Sequence, residues 1–123
     1  MARLCKESPL DIALDEEMIG VNNPEEKEKL LDTIHPQYIV LKPTMHGGLS
    51  GTREWINLAN KRGINSWITS ALESNIGLRS IALLAESVYG PNTTFPQGLG
   101  TGQLFTDNID NGIHIEGANI VVE

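Results

Sequence analysis

Cysteine is almost absent: the 123 residues carry one, Cys5, so no disulfide can close within the chain, and no Cys/His spacing of a metal-binding cluster occurs. The thiol reads as buried or idle, and a reducing cytoplasm suits such a chain. Positive charge is scarce as well. Nine Lys and Arg stand against 16 Asp and Glu, a formal charge of −7, and the acids are spread through helical patterns instead of gathered in a tail. Nucleic acid and anionic membrane are therefore not expected partners. No apolar run approaches the ~18 residues of a membrane span, and Met1–Glu7 lacks the apolar centre of a signal peptide. Length is limited too: there is room for one domain with a core, but not for the ~250 residues that a closed barrel of eight βα units usually takes.

Against that background one stretch stands out, Tyr38-Ile39-Val40-Leu41-Lys42-Pro43-Thr44-Met45-His46-Gly47-Gly48. Four apolar residues bounded by turn formers suit a strand covered on both faces, as in parallel sheets. A lysine at the end of such a strand needs a partner or a wet pocket, because an unpaired buried charge is costly. The pattern recurs. Strand-like runs end at Asp15, Lys42 and Ser70, and a Pro/Gly-rich segment reaches Gly98, at intervals of 27, 28 and 28 residues. Each interval holds a helical pattern, so the repeating unit is strand, loop, helix, and four such units make half of a (β/α)₈ barrel or a small doubly wound sheet. In barrels the chemistry sits where strands end, which is where Asp15, Lys42, Ser70 and Gly98 fall.

Local signals place the helices. Met1–Glu7 reads as a helix end stopped by Ser8-Pro9. Asn23-Pro24-Glu25-Glu26 is an N-cap, a first-turn proline and two acids at the positive end of the dipole, opening a helix to about Asp32. Ser50 or Thr52 starts a second helix, with Trp55 in the core, that ends at Lys61-Arg62-Gly63. Ser74 caps a third, with Ile76, Leu78, Ile81, Ala82, Leu84, Ala85 and Val88 as its buried face, and the free N–H groups at its start suit a carboxylate. Gly98-Leu99-Gly100-Thr101-Gly102 lacks the spacing of a P-loop. His35, His46 and His114 have no matching partners, and His46 reads as a surface polar residue. Ile113–Ile115 and Ile120–Val122 suggest a hairpin that breaks the βα rhythm.

Taken together, Ala13-Leu14-Asp15-Glu16, Leu41-Lys42-Pro43, Gly47-Gly48, Thr69-Ser70-Ala71-Leu72-Glu73-Ser74-Asn75-Ile76-Gly77 and Gly98-Leu99-Gly100-Thr101 resemble the second half of an enolase-superfamily barrel, in particular the o-succinylbenzoate synthase family. The resemblance runs from about Ser8 to Asp107. It implies an α/β fold, half of an enolase-type (β/α) barrel, with residues 1–107 as strands five to eight and 108–123 as a short β appendage. It implies that Asp15 is a ligand of Mg²⁺ and that Lys42 is an active-site lysine facing the intermediate. Gly47, Gly48, Ser70 and Ser74 would bind the carboxylates of a small-molecule substrate, with Glu16 and Glu73 one layer behind them.

The implied reaction is a metal-assisted syn dehydration of a cyclohexadiene hydroxy-carboxylate through an enediolate, in menaquinone biosynthesis. The family's proton-transfer lysine on the second strand, and the ligands from the third and fourth, have no counterpart in these residues. The chain alone is therefore expected to be inactive and to self-associate through open sheet edges. Two alternatives stay open: an N-acylamino acid racemase of the same superfamily, and a non-catalytic α/β domain that binds a small ligand at a switch point.

Overall fold

The computed structural model describes all 123 residues, Met1–Glu123. Its centre is a parallel sheet of β1 (Ala13–Leu14), β2 (Tyr38–Leu41) and β3 (Asn65–Ile68), in that order, with Ala13 opposite Tyr38 and Val40 opposite Trp67. Beyond β3 the sheet continues as one parallel bridge, Thr69 to Gly98, followed by a 3₁₀ turn over Gly100–Leu104. Parallel neighbours need crossover helices. These are α2 (Pro24–Ile34) and α3 (Gly48–Asn60); α4 (Asn75–Tyr89) follows β3, and a short α1 (Ala2–Glu7) precedes β1. No helix is long and apolar enough to cross a membrane.

Helices α2 and α3 start for local reasons. The Asn23 side chain accepts the Glu25 N–H at 2.8 Å ahead of Pro24, and α2 runs two residues beyond Asp32 before His35 turns left-handed. The next helix begins at Gly48, earlier than Ser50 or Thr52, because Gly47 reverses the chain at a φ of 85° and the Thr52 hydroxyl bonds back to the Gly48 carbonyl at 2.7 Å. Ser74 does hold the N-cap position of α4, but its hydroxyl makes no capping bond. Asn108 Oδ1, from far along the chain, accepts the Asn75 N–H instead, at 2.8 Å.

The last residues form the expected hairpin, β4 (Ile113–Glu116) and β5 (Asn119–Val122), antiparallel. It packs on α4, buries Ile113 in the core and is tied on by Arg79, which donates to the Glu123 carbonyl at 2.9 Å. Side chains alternate across the sheet with period two. Leu14, Ile39, Leu41 and Ile68 point to the helices and are fully buried with Leu31 and Trp55. Their neighbours in sequence point the other way, to a face closed only in part by Phe95, which stacks on Tyr38 (centroids 6.0 Å apart, planes within 6°) and tilts against Trp67.

Candidate active site

Alternation carries three polar residues onto that half-open face. Asp15 follows Ala13, Lys42 follows Tyr38 and Val40, and Thr69 follows Trp67, all at the ends where the strands stop. Lys42 Nζ lies 2.7 Å from Asp15 Oδ1, with the lysine side chain 16% exposed and the aspartate 42%. Oδ1 receives no aligned hydrogen bond, so the contact is one of charge, with the oxygen's lone pairs not taken up by a well-directed donor. Glu16 and Glu17 are exposed in the 3₁₀ turn that follows, and Glu17 Oε2 accepts the Asp15 N–H at 3.3 Å.

The turn after β2 is closed on itself. The Lys42 carbonyl accepts N–H groups from Met45 at 2.8 Å and His46 at 3.0 Å, and the Pro43 carbonyl accepts the Gly48 N–H at 2.8 Å. His46 is not at the surface as its sequence setting suggests: it is 2% exposed, and its Nδ1 accepts the Lys42 N–H at 2.8 Å. Burial pushes its pKa below the ordinary histidine range. Asp15 opposes that shift, while the charges of Lys42 and Lys27 add to it. Because Nδ1 accepts, the neutral ring carries its proton on Nε2, which has no partner.

The loop after β3 is braced against the loop after β2. Glu73 accepts the Ala71 N–H at 2.9 and 3.1 Å and the Thr44 hydroxyl, so one carboxylate joins the two. Gly77 makes room for it: a Cβ there would stand 2.9 Å from Glu73 Cβ, a steric reason for Glu-x-x-x-Gly. Ser70 is buried, its hydroxyl bonded to Thr101 and accepting the Leu72 N–H at 3.1 Å, which leaves Leu72 left-handed at a φ of 67°. Ser74, Gly47 and Gly48 are exposed along the same rim.

No group of three or more His, Cys, Asp or Glu side chains is placed to hold a metal ion. Asp15 is a single carboxylate already facing an ammonium, so these residues do not by themselves fit Mg²⁺, which prefers six oxygens in octahedral array. Sequence patterns also missed Lys27. In Pro24-Glu25-Glu26-Lys27-Glu28 it reads as a solvated charge, yet it is 2% exposed, 2.7 Å from Glu54 Oε1 and 5.2 Å from the centre of the Trp55 ring, beneath the turn that holds His46.

No protein-family model matches the chain. An o-succinylbenzoate synthase of Desulfotalea psychrophila is 54% identical over 117 residues, 95% of this chain and 31% of the relative. One of Haemophilus influenzae is 35% identical over 88 residues, 72% of this chain and 25% of the relative. The crystal structure of MenC from Desulfotalea psychrophila superimposes with a TM-score of 0.89 at 52% identity, covering 98% of this chain and 33% of that one. An L-Ala-D/L-Glu epimerase from Bacillus subtilis, at a TM-score of 0.81 and 20% identity, shares the fold. The chain thus spans about a third of the length of the curated relatives it matches first. By sequence and by fold it belongs to the o-succinylbenzoate synthase family of the enolase superfamily, matching the C-terminal third of its Desulfotalea relative.

Proposed function

We propose that these 123 residues are the part of an o-succinylbenzoate synthase that supplies the lysine facing the reaction intermediate. The observation that carries this is the Lys42–Asp15 pair, 2.7 Å apart at the same ends of neighbouring parallel strands. Loss of a proton next to a carboxylate spreads negative charge over an enediolate, and a fixed ammonium opposite that charge stabilises it most where water is largely excluded. Lys42 meets the condition: its side chain is largely buried and its ammonium lies beside Asp15 on the half-open face. A divalent ion such as Mg²⁺, when bound, would stabilise the same charge, with Asp15 as the one carboxylate this chain offers. On the rim, the turn at Gly47 and Gly48 and the free Ser74 hydroxyl meet the substrate's carboxylates, Ser70 holds the loop through Thr101, and Glu73 locks the two loops together. Glu16 adds negative charge beside the pair.

Dehydration is favoured over 1,1-proton transfer by the 54% identity to an o-succinylbenzoate synthase, against 20% to the epimerase. The buried, unpaired Cys5 agrees with work in a reducing cytoplasm. By themselves the 123 residues leave β1 an unpaired edge, so the isolated chain self-associates.

The test follows loss of the cyclohexadiene absorbance in an enzyme of the relatives' full length that contains this segment. Lys42→Ala should lower kcat on the order of 10³-fold or more while leaving Mg²⁺ affinity, read by calorimetry, nearly intact. Asp15→Ala should weaken metal binding first. Near-normal turnover by Lys42→Ala, or by the isolated 123 residues, would overturn the assignment.

A further inference from the structure

Both backbone polar groups of Lys42 bond to His46, the carbonyl sharing itself with the Met45 N–H. Its N–H donates to the His46 ring at 2.8 Å and its carbonyl accepts the His46 N–H at 3.0 Å. The sheet hands over at this point: Leu41 is the last residue of β2, and its carbonyl still serves β3 through the Thr69 N–H at 2.9 Å. An imidazole nitrogen therefore stands where a neighbouring strand would otherwise supply the next acceptor. His46 is buried, and its main chain is walled in as well. Helix α3 passes so close to the His46 carbonyl that a Cβ at Gly51 would come within 2.5 Å of its oxygen, and Lys27 Nζ would lie 4.0 Å from the same Cβ.

We infer that His46 is a positioning residue for Lys42, fixing the lysine's main chain through Nδ1 so that its ammonium stays over Asp15; this rests on the active-site role of Lys42 proposed above. The arrangement works only with a neutral ring, since a proton on Nδ1 would set donor against donor. Burial is the largest influence and opposes protonation; of the charged groups facing His46, Lys42 at the end of β2 and Lys27 on α2 oppose it too, and Asp15 at the end of β1 favours it. A site that must hold an ammonium to a fraction of an ångström gains from an acceptor that is buried and has one neutral form, because misplacement of about 1 Å costs on the order of 10²-fold in rate.

The experiment compares His46→Asn, whose Oδ1 falls near the place of Nδ1, with His46→Leu, which keeps the volume but accepts nothing, in the full-length enzyme. His46→Leu should lose at least about tenfold in kcat with KM within about twofold, and speed exchange of the Lys42 amide by a similar factor; His46→Asn should restore both. Should His46→Leu fail to fold, the wild-type ring decides. Its ¹⁵N shifts at pH 8 should show the neutral ring's proton on Nε2, and a neutral ring protonated on Nδ1 overturns the inference. So does an unprotected Lys42 amide in the wild type, or His46→Asn behaving no better than His46→Leu. If Lys42→Ala itself keeps full turnover, the active-site role of Lys42 falls, while amide exchange still reports separately whether His46 holds its main chain.

Discussion

Gly51→Ala sets two physical effects of opposite sign against each other. Gly51 lies inside α3, and in an open helix alanine is favoured over glycine by about 1 kcal/mol. Here the new methyl would stand 2.5 Å from the His46 carbonyl oxygen and 3.3 Å from its carbon. Carbon–oxygen contacts normally begin near ~3.3 Å, so one main-chain segment must move by roughly 0.8 Å. The obstacle is backbone and cannot rotate aside. Overpacking of this kind costs about 1–3 kcal/mol, and the absence of a flexible partner puts it at the upper end, for a net loss of about 2 kcal/mol. With a urea dependence of ~2 kcal/mol per molar for a chain of this size, the unfolding midpoint should fall by about 1 M. Gly100→Ala, with open space around it and no left-handed φ, is the control and should leave the midpoint unchanged. Because the displaced carbonyl belongs to His46, turnover of the full-length enzyme carrying the same substitution should fall as well. A Gly51→Ala midpoint at or above the wild type would show that helix propensity outweighs the close approach and refute the packing argument.

Burial of neutral His46 makes stability depend on pH: the unfolded chain takes up its proton near pH 6.5 while the folded chain does so only lower, so stability present above that pH is lost as pH falls toward the folded value and levels off below it. The difference in unfolding free energy between wild type and His46→Asn between pH 8 and 5 isolates this from His114, whose pKa Glu116 shifts the opposite way; a pH-independent difference would count against it. Lys27→Met keeps the stem and leaves Glu54, 40% exposed, to water, so it should be neutral within about 1 kcal/mol or stabilising, whereas Lys27→Ala opens a cavity and costs about 2 kcal/mol or more. Equal losses in thermal unfolding would contradict that. Asn108→Ala should cost about 1–2 kcal/mol in urea by freeing the first N–H of α4, and a silent Asn108→Ala would mean that water caps the helix as well.

What the sequence disclosed and what it hid divide by distance along the chain. Asn23-Pro24-Glu25-Glu26 could be read as a helix start because a cap joins residues two or three apart, and the structure closes that bond. The near-even spacing of Asp15, Lys42 and Ser70 was legible because each βα unit repeats the same strand and crossover lengths. Ser74 was placed at its cap position correctly, but its hydroxyl makes no capping bond, and the first N–H of the helix goes to Asn108, 33 residues beyond Asn75, where no local pattern reaches. His46 was hidden for the same reason. Its burial comes from α3 folding back over its carbonyl, and the one local hint was Gly51, a small residue in the helix that crosses there. Lys27 looked solvated among three acids because Trp55 and Glu54, which receive it, lie a crossover away.

The placement of Lys42 and Asp15 follows from parity more than from either residue alone. Ile39 and Leu41 are fully buried toward the helices, so Tyr38, Val40 and Lys42 must take the other face. Pairing of Ala13 with Tyr38 gives β1 the same phase, which sends Leu14 to the helices and Asp15 to the side of Lys42. At the lower end of that face Tyr38, Trp67 and Phe95 exclude water with aromatic area; at the upper end the two charges meet. A slip of one residue in either strand would turn Lys42 or Asp15 into the apolar layer beneath α2 and α3, at a cost of several kcal/mol for an unpaired buried charge, and would expose a leucine in exchange. Hydrophobic burial on one face therefore fixes the register, and the register fixes the ion pair on the other.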